Sequence, residues 1–324
     1  MPPLSGNRAL GPAVTGPAVL GCGSFGGIGS APSGLGGGLS MPEAFAVMDA
    51  AVDQGITIFD TADGYAGGES ERMIGEWLRQ RDAGVTITTK VGVAWDRPTL
   101  RDLSSGRIRS HARESMDRLG LDRIELYMMH APDPGTPIEE SLEAFDDLHQ
   151  QGLVGGLGLC NVDVRFVEEW QATAERMGAI GFSWIQNELN LLTQGDLVDL
   201  LPLCQELGVG YTAYSPLAGG ILADRYAAGG EPPEGSRIAV LPEQYGPRLD
   251  HDVRVGLAEL REMAAERRVA PATLAMAWVM GRPGVTAAIV APRTPAQLTV
   301  VIEAAELALD ASDLARLTAM FRHG

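Results

Sequence analysis

The chain has 324 residues, 45% hydrophobic and 21% charged, a composition that builds a folded core and excludes a disordered tail protein. Its 42 acidic side chains against 25 basic ones give a formal net charge of −17, which excludes a general affinity for nucleic acid or anionic membranes. A phosphate ligand would have to be held by a local set of donors, against the sign of the whole molecule.

Short β-rich runs alternate with stretches of helical period from end to end. Residues 18–21 read as the first strand, and a Gly/Ser-rich loop over 26–40 leads to a helix. Ser40 is its N-cap, Pro42 suits the first turn and Glu43 stands three residues on, with Phe45, Met48, Ala51 and Val52 as the core face. There follow a strand at 56–59, a helix at 70–80, a strand at 85–89, a helix at 107–119 and a strand at 124–129. The next helix, 138–150, carries Leu142, Phe145 and Leu148 on one face. Strands at 154–159, 182–186, 210–213 and 287–290 complete the set, with helices at 164–177, 196–207, 253–268 and 295–307, and extra ones at 271–280 and 312–321. Regular βα alternation implies parallel strands with crossover helices, either a doubly wound sheet or a closed barrel. Eight units without a polar linker near the middle favour one (β/α)8 TIM barrel over residues 1–324, with extra C-terminal helices and a long loop at 219–247.

Cys22, Cys160 and Cys204 are too far apart in sequence for a disulfide framework or a zinc pattern, so a reducing, cytoplasmic setting is expected. The apolar stretch 14–22 ends Leu20-Gly21-Cys22, faintly like a lipoprotein leader. Arg8 is its only nearby positive charge, and Pro12, Gly16 and Pro17 break it up, so no leader is expected. No run approaches the ~18 apolar residues of a membrane span.

A barrel of this kind carries its chemistry where the strands end. Strand two runs into Asp60-Thr61-Ala62-Asp63-Gly64-Tyr65, strand three ends Thr89-Lys90 and strand four ends Met129-His130. Strands five to seven lead to Cys160-Asn161, Gln186-Asn187 and Tyr214-Ser215-Pro216-Leu217, and Arg293 follows strand eight. These groups suit proton transfer to a developing oxyanion. A tyrosine with a reference pKa of ~10 is a better acid beside an ammonium, which Lys90 can supply and Asp60 can hold in place. His130 can donate a hydrogen bond to a substrate carbonyl. The other histidines, His111, His149, His251 and His323, fall on helices or the tail, where a solvated surface position is expected, and no metal site is expected.

On these residues the chain resembles the aldo-keto reductase family. The likeness runs from Arg8-Ala9-Leu10-Gly11 to the helix after Arg293, and its most specific part is Asp60-Thr61-Ala62-x-x-Tyr65-x-x-Gly68-x-Ser70-Glu71. Lys90 and Leu126-Tyr127-Met128-Met129-His130 follow in the family's order. The resemblance implies an NADPH-dependent carbonyl reductase with Asp60, Tyr65, Lys90 and His130 as its catalytic tetrad. It implies that Cys160 (serine in the family), Asn161 and Gln186 hold the nicotinamide carboxamide and that Tyr214 stacks on the ring. A thiol is a weaker donor than a hydroxyl, so the Cys160 anchor is softened. Ser215, Leu217, Gly219 and Gly220 match a loop that wraps the pyrophosphate through backbone N–H groups. Arg293, Thr294 and Gln297 are placed for a 2′-phosphate, favouring NADP(H), with NAD(H) left open because Ala291 and Val300-Val301 depart from the family's pattern. Gly23 and Ser24 line the cofactor mouth, and Phe25 and Trp95 are the candidate substrate-pocket walls.

The expected activity is reduction of an aldehyde or ketone, whether a sugar, a keto-sugar, an aryl aldehyde or a natural-product ketone, with Tyr65 as general acid. Oxidation of a sugar or alcohol by the same tetrad is the alternative within the enzyme class. From another class, a cofactor-sensing regulatory subunit like the β-subunits of potassium channels remains open. A metal-dependent barrel hydrolase lacks the clustered ligands it would need. The partner is a small-molecule carbonyl or alcohol, with neither nucleic acid nor membrane, and the sequence leaves monomer and homo-oligomer unresolved.

Overall fold

Parallel strands joined in chain order leave no sheet edge once the last strand meets the first. The computed structural model describes residues 16–30, 34, 36–94, 96–97, 99–223, 225–226, 232, 234 and 236–321. Among them eight strands close a barrel: β1 (Ala18–Gly21), β2 (Ile58–Asp60), β3 (Thr86–Val91), β4 (Ile124–Met129), β5 (Val154–Cys160), β6 (Phe182–Glu188), β7 (Gly210–Tyr214) and β8 (Ala287–Val290). Closure comes from β1, which aligns Leu20 with Phe59 of β2 and Ala18 with Ala288 of β8. The expected (β/α)8 barrel is the observed fold. The Arg8-Ala9-Leu10-Gly11 run, Trp95 and His323 lie outside the described residues.

Successive strand residues point to opposite faces. Outward ones such as Tyr127, Met129, Leu159, Ile185 and Tyr211 join the large core beneath the helices. Inward ones, including Val19, Ile58 and Ile289 on one side and Leu126, Met128 and Trp184 on the other, fill the barrel floor. The covering helices are α1 (Met41–Asp53), α2 (Glu69–Gln80), α3 (Ser105–Leu119), α4 (Ile138–Gln150), α5 (Val164–Met177), α6 (Leu200–Leu207), α7 (Arg237–Val240), α8 (Pro242–Tyr245), α9 (His251–Arg267), α10 (Pro271–Met280), α11 (Leu298–Glu306) and α12 (Ala311–Ala319). No helix among the described residues is long and apolar enough to cross a membrane.

Three local differences have physical causes. The Ser40 cap of α1 forms, its backbone N–H and its hydroxyl both donating to Glu43 Oε2 at 2.8 and 2.6 Å. The buried face is Ala44, Val47, Met48 and Ala51, so Phe45 and Val52 stand at its edge, with the Arg81 guanidinium 6.0 Å from the Phe45 ring centre. The helix expected at 196–207 starts only at Leu200, after a short 3-10 turn at Gly195–Leu197. Asp196 serves a buried network instead, accepting from Tyr211 Oη at 2.7 Å and Asn187 Nδ2 at 2.9 Å. The stretch expected to be a loop at 219–247 contains two one-turn helices, α7 and α8.

Candidate active site

Asp60 is the last residue of β2 and Lys90 the penultimate residue of β3, on neighbouring strands whose register sets Asp60 against Thr88. Residues two apart on a strand share a face, so Thr88 and Lys90 both reach the barrel interior. Lys90 Nζ donates to Asp60 Oδ2 at 2.5 Å, to the Thr61 carbonyl at 2.8 Å and to Tyr65 Oη at 3.4 Å. Tyr65 opens a 3-10 turn after β2, and its ring meets that of His130 edge-on, with centroids 5.5 Å apart. Gly23 lies under the same ring, where an added Cβ would touch Tyr65 Cε2 at 3.4 Å. All four residues expected as the tetrad therefore meet in one cluster at the strand ends.

Electrostatics inside the cluster correct one expectation. Burial pushes the Tyr65 phenol above its ordinary value, outweighing the downward pull of the Lys90 ammonium. At neutral pH the phenol keeps its proton. Burial pulls the Lys90 pKa down, but the Asp60 carboxylate, joined by Tyr65 and Cys160, more than offsets it and keeps the amine charged. Burial, then the charges of Lys90 and Arg101, push His130 well below the usual histidine range. His130 is therefore neutral, and its Nδ1 is buried with no hydrogen-bond partner among the described residues.

The residues expected on the cofactor side surround this cluster. Asn161, held at φ 58°, donates from Nδ2 to the His130 carbonyl at 2.7 Å and accepts from Tyr214 Oη at 2.6 Å. Gln186 directs its amide nitrogen to Asp60 Oδ1 at 3.0 Å. The Cys160 thiol is buried beside Leu126, Met128 and Trp184, and burial raises its pKa strongly. Ser24 is buried, and its hydroxyl oxygen has no hydrogen-bond partner among the described residues. After β7, Ser215, Gly219 and Gly220 take positive φ of 53°, 68° and 96°, so the backbone curls without side chains on its inner face at the glycines. The Gly220 N–H is used within that loop, donating to the Leu217 carbonyl at 2.8 Å, and so is not available to a phosphate in this conformation. Past β8, Arg293 donates to the Gly37 carbonyl at 3.2 Å, and its backbone N–H donates to Gln297 Oε1 at 2.6 Å. Thr294 and Gln297 are exposed.

Two readings change. Phe25 is 1% exposed and packs into the core with Leu39 and Met73, so it is a packing residue and not a pocket wall. Trp95 is outside the described residues. His111 is no solvated surface residue: its Nδ1 is 2.7 Å from Asp63 Oδ2. Sequence reasoning also missed Thr88, which donates to Asp60 Oδ1 at 3.0 Å, although its i, i+2 spacing from Lys90 was the available signal. Glu71, quoted in the motif, was given no role of its own. It is fully buried, accepts from Thr89 Oγ1 and Arg118 Nε at 2.6 Å each, and braces α2 against β3 and α3. Among the described residues no three His, Cys, Asp or Glu side chains gather as a metal site would require.

A closed parallel barrel with a lysine, a carboxylate, a tyrosine and a histidine clustered at one mouth has the form of an oxidoreductase acting on small molecules. The chain belongs to the aldo/keto reductase family, whose model matches residues 19–322, and it is an NAD(P)H-dependent oxidoreductase of that type. It is 35% identical over 290 residues to the uncharacterized oxidoreductase YrpG of Bacillus subtilis, covering 86% of each chain. It is 32% identical over 263 residues to a probable voltage-gated potassium channel subunit beta of rice (Oryza sativa), covering 79% of each. A glycerol dehydrogenase from Gluconobacter oxydans shares the fold, with a TM-score of 0.79 at 24% identity, over 96% of this chain and 93% of that one.

Proposed function

We propose that the chain reduces an aldehyde or ketone with NADPH, with Tyr65 as the proton donor. The observation that carries this reading is the reach of Lys90 Nζ to Asp60 at 2.5 Å and to Tyr65 Oη at 3.4 Å at once. That arrangement leaves a protonated phenol beside a permanent positive charge. The residues present fit a dinucleotide: the Gly219-Gly220 curl, where a Cβ on Gly220 would meet nothing closer than 3.9 Å, leaves room for a pyrophosphate. On this reading Asn161, Gln186 and Cys160 would hold the nicotinamide carboxamide, Tyr214 would stack on its ring, and Arg293, Thr294 and Gln297 would meet a 2′-phosphate. These residues would hold a reduced nicotinamide, whose chemistry there would be to supply hydride to the carbonyl carbon. Tyr65 Oη gives its proton to the carbonyl oxygen, and Lys90 stabilises the phenolate left behind. Neutral His130 offers an N–H that orients the same oxygen. Asp60 keeps Lys90 charged throughout. In the reverse direction the phenolate takes the proton of an alcohol, so the same groups serve oxidation.

The whole of residues 1–324 is taken as one catalytic unit in a reducing, cytoplasmic setting. The test is purified protein with NADPH against a panel of sugars, aryl aldehydes and ketones, followed by loss of nicotinamide absorbance, beside Tyr65→Phe. The reading expects turnover in the parent and its near-complete loss in the variant. Full turnover in Tyr65→Phe would remove the proton-donor role. The relatedness to channel β-subunits favours a second reading, cofactor sensing, which tight NADPH binding with no turnover on any carbonyl would support.

A further inference from the structure

Both oxygens of the Asp60 carboxylate face donors from other strands, two from β3 and one from β6. Oδ2 takes Lys90 Nζ from β3. Oδ1 takes Thr88 Oγ1, also from β3, at 3.0 Å and Gln186 Nε2, from β6 across the barrel, at 3.0 Å. Thr88 and Gln186 are 4% and 5% exposed, so water does not compete for these bonds. An ionised carboxylate accepts and cannot donate, which fixes the amide of Gln186 with nitrogen toward Asp60 and oxygen away from it.

We infer that Thr88 and Gln186 are positioning residues for the Asp60–Lys90 pair, and that Gln186 links that pair to the nicotinamide site. The inference rests on the reading of function above. With Nε2 committed to Asp60, the free end that Gln186 presents to a carboxamide is Oε1, an acceptor for its N–H. Cofactor occupancy and the orientation of Asp60 are then joined through one side chain. Thr88 shares only the Asp60 end of this arrangement. Removing either donor leaves Asp60 Oδ1 short of a partner, so the carboxylate is held less firmly and its grip on Lys90 loosens.

The experiment compares the parent with Thr88→Val, Thr88→Ser and Gln186→Met by two readouts. One is kcat set against KM for the carbonyl substrate. The other is NADP+ affinity without substrate, from quenching of tryptophan fluorescence. Thr88→Val is expected to lose about tenfold in kcat, the size of one hydrogen bond to a charged group. Its KM and its NADP+ affinity stay at the parent's, and Thr88→Ser brings kcat back. Gln186→Met lowers kcat and weakens NADP+ together. Thr88→Ala, which lacks the donor and is smaller than threonine, replaces the valine variant if that does not fold. A Thr88→Val kcat equal to the parent's overturns the proposal, as does a Gln186→Met that weakens NADP+ without lowering kcat. A parent that turns over no carbonyl overturns the reading of function instead, so the two failures are distinguishable.

Discussion

His111 on α3 brings its Nδ1 to 2.7 Å from Asp63 Oδ2, and Arg107, one turn earlier on the same helix, stands 3.6 Å from the same oxygen. The Asp63 side chain is almost fully enclosed and lies in the turn between Asp60 and Tyr65. Breaking this contact leaves a buried carboxylate short of a partner. His111→Ala should therefore cost about 1–3 kcal/mol of stability, read as a lower midpoint in urea. It should also reduce turnover, because the turn that carries Tyr65 loses its brace. An unfolding curve identical to the parent's would make the contact incidental.

The pH response of the two reaction directions should be opposite in form. Burial holds the Tyr65 phenol above its ordinary pKa of ~10, so the proton donor is loaded throughout the neutral range. Carbonyl reduction should show no Tyr65-dependent loss until the pH passes that raised value. Alcohol oxidation needs the phenolate and should rise with pH over the same range. Lys90→Met removes the one charge that pulls the phenol down, and should slow oxidation more than reduction. Initial rates in both directions from pH 6 to 11, about five units spanning the reference value, decide it.

Arg293 offers its guanidinium near the start of the turn that leads into α11, at present donating to the Gly37 carbonyl at 3.2 Å. A bidentate arginine contributes to a phosphate but not to a free ribose hydroxyl. Arg293→Met should weaken NADPH by about tenfold or more, one charge-assisted contact, and leave NADH little changed. Equal losses for both nucleotides would place Arg293 away from the 2′-phosphate.

Gly219 has a φ of 68°, and an added Cβ would run into the ring of Tyr245 in α8. That ring lies beneath Arg248, whose guanidinium carbon is 5.3 Å from its centre and which grips Glu188 at the end of β6 through both nitrogens, at 2.5 and 3.1 Å. Gly219→Ala should cost about 1–3 kcal/mol through overpacking and strain and weaken cofactor binding in the same titration. Tyr245→Ala on top of it should recover part of the loss, because the obstacle is that ring.

Period and strand-end chemistry made most of the barrel readable. The bounds of β1, β4 and β8, and of α4, α5 and α10, coincide with those expected, because each has flanking glycine, proline or cap residues. Asp60, Lys90 and His130 were readable because each stands at the end of a strand or directly after one, where direction and depth are set by the fold, and Tyr65 because its motif fills the loop that follows β2. Partners distant in sequence were not. His111 has only helical period around it, and its carboxylate partner comes from another unit of the barrel. Phe25 follows a strand like the site residues, yet a neighbouring helix and Leu39 cover it. Nor could spacing reveal that burial would outweigh Lys90 at Tyr65, since depth comes from the walls and not from the motif. One-turn helices such as α7 and α8 are too short to leave a period.

The pairing of β1 with both β2 and β8 sets an order on the birth of the enzyme. A growing chain has already acquired Asp60, Tyr65, Lys90 and His130 before β5 is made, yet β1 then has a partner on one side only. Gln186, which donates to Asp60 from across the barrel, arrives with β6, and β8 follows the other seven strands. Long-range closures of this kind are slow because chain entropy is lost before the contacts repay it. A message broken before codon 287 would yield a polypeptide that carries Asp60, Tyr65, Lys90 and His130 but has no closed barrel and two open strand edges, prone to self-association.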